Sequence, residues 1–116
     1  MGSARSVSTV TIQAGQSISE AKDLSGASIA CVIIPGNWTP ASLTFRVGLP
    51  TSGGLADLQT PTGTEMVYTV SPGCAYLFNP WDWAGATLIQ FRSGTSASPV
   101  AQANTVVLQL ITWAQV

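Results

Sequence analysis

A chain of 116 residues, 46% of them hydrophobic, has room for one domain and one core, and at this size it folds without needing a metal or a disulfide framework. Only 8% of its residues are charged, against about 25% in an ordinary soluble domain, so part of its surface is expected to lie against partners. The net charge is −1, and the four basic residues Arg5, Lys22, Arg46 and Arg92 are scattered along the chain. This argues against nucleic acid, whose binding needs several phosphates neutralised together, and against anionic membranes.

The bland alternative is a surface that is polar through Ser, Thr and Gly without being charged, as in many secreted β-sandwiches. No apolar run approaches the roughly 18–20 residues that span a bilayer. Residues 1–6 lack a hydrophobic segment after Arg5, which predicts no secretory signal and leaves a flexible N-terminal arm of a single domain covering 1–116.

In chain order, residues 7–13 alternate Val10 and Ile12 with Thr9 and Thr11, the period of a half-buried strand. Residues 17–26 space Ile18, Ala21 and Leu24 so that a helical turn and a polar edge strand are both compatible. Residues 28–34 are continuous and β-branched, as in a strand buried on both faces. In 43–49, Leu43, Phe45, Val47 and Leu49 share one face, and a flexible loop is expected over 50–54, where Pro50, Gly53 and Gly54 punctuate the chain.

Short strands follow at 56–59, at 65–70 with Met66, Tyr68 and Val70 on one face, at 74–78, and at 87–92 with Ile89 and Phe91 inward. The last strand, 104–113, is apolar on both faces: Val106, Leu108 and Leu110 on one, Val107, Ile111 and Trp113 on the other. Such a strand lies either under a cover or against a neighbouring subunit, and the second is preferred. Seven or eight strands separated by turn residues predict an all-β, jelly-roll-like β-sandwich.

Histidine is absent, which removes the commonest general base and the commonest metal ligand. The five carboxylates are dispersed, and Gly53-Gly54 lacks the Lys and helix of a phosphate loop. No enzyme activity, metal or cofactor is expected. Cys31 and Cys74 sit in apolar, strand-like contexts and read as buried free thiols.

Phe78-Asn79-Pro80-Trp81-Asp82-Trp83-Ala84-Gly85 predicts one helical turn, with Asn79 as cap and Pro80 in first position. Trp81 and Trp83 cannot both point the same way from so short an element. Trp38 reads as a core lid. Trp81, Trp83 and Trp113, with Arg92 as a polar anchor, are the candidate protein-interface residues, since exposed Trp and Arg anchor partners.

Tyr76-Leu77-Phe78-Asn79-Pro80 followed by Trp83-Ala84-Gly85-Ala86-Thr87-Leu88-Ile89-Gln90-Phe91-Arg92-Ser93-Gly94-Thr95, with Pro99-Val100-Ala101-Gln102-Ala103 leading into the last strand, resembles a family of small β-sandwich virion proteins of tailed bacteriophages. Thr9-Val10-Thr11-Ile12, Ala14-Gly15-Gln16-Ser17 and Trp38-Thr39-Pro40-Ala41-Ser42-Leu43-Thr44-Phe45 extend the resemblance over nearly the whole chain. Ser52-Gly53-Gly54-Leu55 departs from the Asp-Gly turn common in that family.

The resemblance implies a capsid decoration or cement protein on the outer surface of the virion, made in the host cytoplasm. Its partners would be the major capsid protein and further copies of itself, as a trimer. A glycan- or host-binding module of a head spike, tail or fibre is the alternative, acting through the tryptophan loop. A secreted or cellular adhesion sandwich is a third reading, and a Cys31–Cys74 disulfide would favour it.

Overall fold

The computed structural model describes residues 3–51 and 54–115. Met1 and Gly2 of the expected arm, and Ser52 and Gly53 of the expected loop, lie outside the described residues. Among the described residues there are eight strands: β1 (Ser3–Ile12), β2 (Lys22–Asp23), β3 (Ser28–Ile33), β4 (Leu43–Gly48), β5 (Leu55–Asp57), β6 (Ala75–Leu77), β7 (Leu88–Ser93) and β8 (Val106–Gln115).

They form two four-stranded antiparallel sheets, β1-β8-β3-β6 and β2-β7-β4-β5. First pairs with last, second with seventh, third with sixth and fourth with fifth. This is the pairing of one long hairpin, rolled so that successive strand pairs fall in opposite sheets. The molecule is a jelly roll, as the strand count and turn spacing predict.

Alternation places the core between the sheets. Val10 and Ile12 of β1, Ile29 and Val32 of β3, Leu43 and Phe45 of β4, Ile89 and Phe91 of β7, and Val106, Leu108 and Leu110 of β8 are all sealed from solvent. The Phe45 ring sits at the centre, edge-on to Tyr68 (5.4 Å), Phe78 (5.9 Å), Trp83 (4.8 Å) and Phe91 (5.4 Å) between centroids. These arrangements set the positive edge of one ring against the negative face of another.

Several sequence expectations are corrected. β1 begins at Ser3 and pairs with β8 from Ser3↔Gln115 onward, so most of the expected arm is strand. Of the two readings open for residues 17–26, the edge segment is the one present: Ser19 N–H donates to the Phe91 carbonyl, and Lys22 and Asp23 pair with β7. Residues 65–70 make only isolated bridges, because Met66 bonds to Leu58 whereas Tyr68 bonds to Leu43. The switch of partner prevents a continuous ladder, yet Met66 and Tyr68 still pack on the core and Val70 is buried. Leu49 is exposed, since β4 ends at Gly48 and the chain turns away before Pro50.

Truncating Phe45 to Ala removes the ring that all four aromatic neighbours contact and leaves a cavity between the sheets. It is expected to cost about 3–5 kcal/mol, read as a lowered midpoint in chemical denaturation followed by far-UV circular dichroism.

Candidate interaction face

The two sheets treat their outer faces differently. Outside β4 and β7, Asp57, Glu65 and the segment around Gly94 and Ser96 lie against the sheet, and a polar cluster fills the space. Arg92 Nη2 donates to Asp57 Oδ1 (2.6 Å) and Glu65 Oε2 (3.3 Å), and its Nε donates to Thr44 Oγ1 (3.1 Å). Thr44 Oγ1 in turn donates to the Gly94 carbonyl (2.7 Å), and Glu65 accepts from Ser96 N–H. Arg46 lies beside Asp57 (3.8 Å) and donates to Gln90 Oε1 and the Leu55 carbonyl.

Gly94 lets this cover close. Its φ is +87°, and a Cβ there would run into the backbone of Ser98, Pro99 and Val100, so only glycine fits. No buried side-chain polar atom among the described residues lacks a partner, which is what such a low-dielectric cluster requires. Arg92, expected as an interface anchor, is therefore corrected: it points away from the core as alternation demands, but its side chain is only 7% exposed under its own chain's loops.

Outside β1-β8-β3-β6 the described residues provide no such cover. The registers Val7↔Ile111, Cys31↔Ile111 and Cys31↔Leu77 line up one apolar row, Val7, Ile111, Cys31, Leu77, across all four strands. At about 4.8 Å per strand the row is roughly 15 Å long. Its ends are open, Val7 being 73% and Leu77 86% exposed, and Ile111 and Cys31 are half-buried between them. Val107 lies on the same face of β8 and is also exposed.

The tryptophans divide between core and face. Trp83 is corrected: it is 4% exposed, wedged against Phe45 and Phe78, and its Nε1–H donates to Tyr68 Oη (3.2 Å). Trp81, 73% exposed, turns the other way. Asn79 causes the split: its Oδ1 accepts from Trp81 N–H and its carbonyl accepts from Asp82 and Trp83 N–H, winding a single turn that sends successive indoles to opposite sides. Trp81 meets half-buried Trp113 edge-on at 5.5 Å, at the end of the apolar face. Trp38 is the expected lid, buried with its Nε1–H on the Ala41 carbonyl.

Both cysteines are free, but neither is buried: Cys31 is half-exposed on the outer face and Cys74 is exposed before β6. The expectation of buried thiols fails because apolar neighbours in sequence do not tell which sheet face a strand residue takes. The apolar row itself was not legible either, since it depends on the registers of three strand pairs. Its one sequence signal was the second apolar face of the last strand. Gln102 is another surprise, fully buried with its amide paired to the Thr39 backbone (2.7 and 3.1 Å).

Two clefts among the described residues offer little chemistry. The apolar one, lined by Val47, Leu58, Trp83 and Ala86 with Asp82 beside them, has about 230 Å³, below the ~300–1,000 Å³ of ordinary ligand sites. A second is an open depression of about 580 Å³ where Glu20 reaches Thr11. Four carboxylates are engaged: Asp57 and Glu65 with Arg92, Glu20 with Thr11 N–H and Asp23 with Ser25 N–H. Among the described residues no group of three or more metal-ligating side chains converges.

Compared with known proteins, the chain matches no family model, no characterised protein and no solved structure. None of these comparisons supports the resemblance to virion proteins, which stays an expectation from sequence.

The two faces predict opposite mutational behaviour. Arg92→Ala removes the guanidinium that Asp57 and Glu65 share, while Asp57 keeps Arg46 and Glu65 keeps the Ser96 N–H, and is expected to cost about 1–3 kcal/mol. Leu77→Ala on the open face is expected to stay within about 0.5 kcal/mol of the parent. Urea titrations of both variants check this.

Proposed function

We propose that the protein is a non-enzymatic assembly subunit that docks through the outer face of β1-β8-β3-β6. The resemblance gives the assembly: the protein is a decoration or cement protein on the outside of a tailed-phage head, homo-oligomeric, with the major capsid protein as partner. The observation that carries this reading is the row Val7, Ile111, Cys31, Leu77, an apolar surface extended along β8 from Ile111 by Trp113 and its partner Trp81.

Its physical basis is burial. Apolar surface left in water is worth about 25 cal/mol per Å² when covered, and a protein with so few charges has little else to keep that surface apart from other molecules. Aromatic and aliphatic side chains at the middle of a docking patch, excluded from water, carry most binding energy in protein interfaces. A weak contact per copy suffices, because many copies on a closed shell bind with avidity. A non-enzymatic role agrees with the absence of histidine and with four of the five carboxylates being committed to Arg92 or to backbone N–H groups.

The test is binding of the purified protein to capsids stripped of it, read by co-sedimentation. Wild type is expected to saturate the shells, and Leu77→Glu, which places a charge in the row, to lose binding at least about tenfold while retaining its circular dichroism spectrum. Leu77→Glu binding as well as wild type would overturn the face as the docking surface. Saturable sugar binding lost with Trp81→Ala would establish the glycan-binding alternative instead.

A further inference from the structure

β1 has an unpaired edge as well as an unpaired face. It is ten residues long, and among the described strands it pairs with β8 alone. Thr11 N–H donates to Glu20 Oε1 (2.7 Å) rather than to β8, which fixes the alternation. Thr11, and with it Thr9, Val7 and Arg5, directs its backbone groups to the open edge, and the even-numbered residues face β8.

Long edge strands are normally blunted by charges, proline or bulges because they template pairing with another chain. This one contains no proline and has one charged residue, Arg5. Its other block is the Glu20 carboxylate, which closes the edge at Thr11 and leaves Arg5, Val7 and Thr9 available.

We propose that β1 of a second copy of this chain docks on that edge, antiparallel, about a two-fold axis through Val7. In this register Val7 pairs with Val7 and Arg5 with Thr9, so every backbone N–H and C=O of the three residues finds a partner, and pairing stops short of the capped Thr11. A slip that set Arg5 opposite Arg5 would oppose like charges, which is destabilising. A slip toward Thr11 would meet an N–H that Glu20 already occupies.

Charge complementarity favours a second copy over an unrelated strand. Arg5, which makes no ion pair among the described residues, comes to lie opposite Thr9 of the other copy. That is about 7 Å along the strand from Thr11, where the Glu20 carboxylate sits. The axis produces this Arg5–Glu20 approach twice.

An axis perpendicular to the sheet also keeps both outer faces on the same side. The rows Leu77, Cys31, Ile111, Val7 of the two copies then join at Val7 into one apolar stripe across eight strands. This two-fold pair replaces the three-fold arrangement expected of cement proteins. It rests on the self-association within the proposed function and is independent of docking on the shell.

The experiment is light scattering coupled to size exclusion over a range of concentrations, with circular dichroism on every variant. Wild type is expected at twice the 12.0 kDa chain mass. Val7→Pro is expected at the single-chain mass, since the N–H it removes is one that β8 does not use and its ring blocks an incoming strand. Arg5→Glu and Glu20→Lys are each expected to weaken the dimer and, combined, to restore it, a rescue that keeps the proposal testable should Val7→Pro misfold.

Leu77→Glu is expected to stay dimeric even though it no longer docks on shells, which separates this proposal from the preceding one. A wild-type chain that is monomeric or trimeric at all concentrations would overturn the edge pair. So would a folded Val7→Pro that remains dimeric, failure of the charge swap to restore association, or loss of the dimer in Leu77→Glu.

Discussion

Phe45 holds the two sheets together, and the surfaces available for function follow from where it points. Its ring meets four aromatic neighbours drawn from β7, the 65–70 segment, the chain just after β6 and the Trp83 turn. With Phe45 inward, alternation sends Thr44 and Arg46 outward, and the β4–β7 register sets Thr44 opposite Arg92. The polar face of one sheet is thus fixed by the same residue that closes the core. The long-range pairing of β1 with β8 closes the other sheet and fixes its apolar face.

The contrast between those faces is the main functional content of the fold. Four of the charged side chains, Arg46, Asp57, Glu65 and Arg92, gather on one sheet and satisfy one another under its loops. A buried charge is tolerable only when paired and hydrogen-bonded, and the cluster meets that condition through Thr44, Ser96 and the Leu55 carbonyl. Concentrating charge there leaves the opposite face nearly bare: Arg5 is the only charged residue in β1, β3, β6 or β8. A sheet whose outer surface reads Val7, Ile111, Cys31, Leu77 is suited to a covered position.

The strand pattern was readable because alternation in 43–49, 87–92 and 104–113 is strong and local. Both the inward set Leu43, Phe45, Ile89, Phe91, Val106, Leu108 and Leu110 and the jelly-roll class follow from it. What lies on the outside was less readable. Arg92 looks like a solvent-facing anchor until segments distant in sequence place Asp57 and Glu65 against it. Trp83 and Trp81 are separated by a single turn whose sense comes from Asn79, and sequence gave only that they must diverge. The apolar row needs three strand registers at once, and none of them is encoded by any one segment.

In the proposed docking the outer face of β1-β8-β3-β6 is covered, and Cys31, in the middle of the row, reports on it. The measurement is the alkylation rate of Cys31 in a Cys74→Ser background, taken on the free protein and on the protein bound to its assembly. The account predicts that the thiol reacts in the free protein and is protected in the bound one; equal reactivity in both states would contradict it.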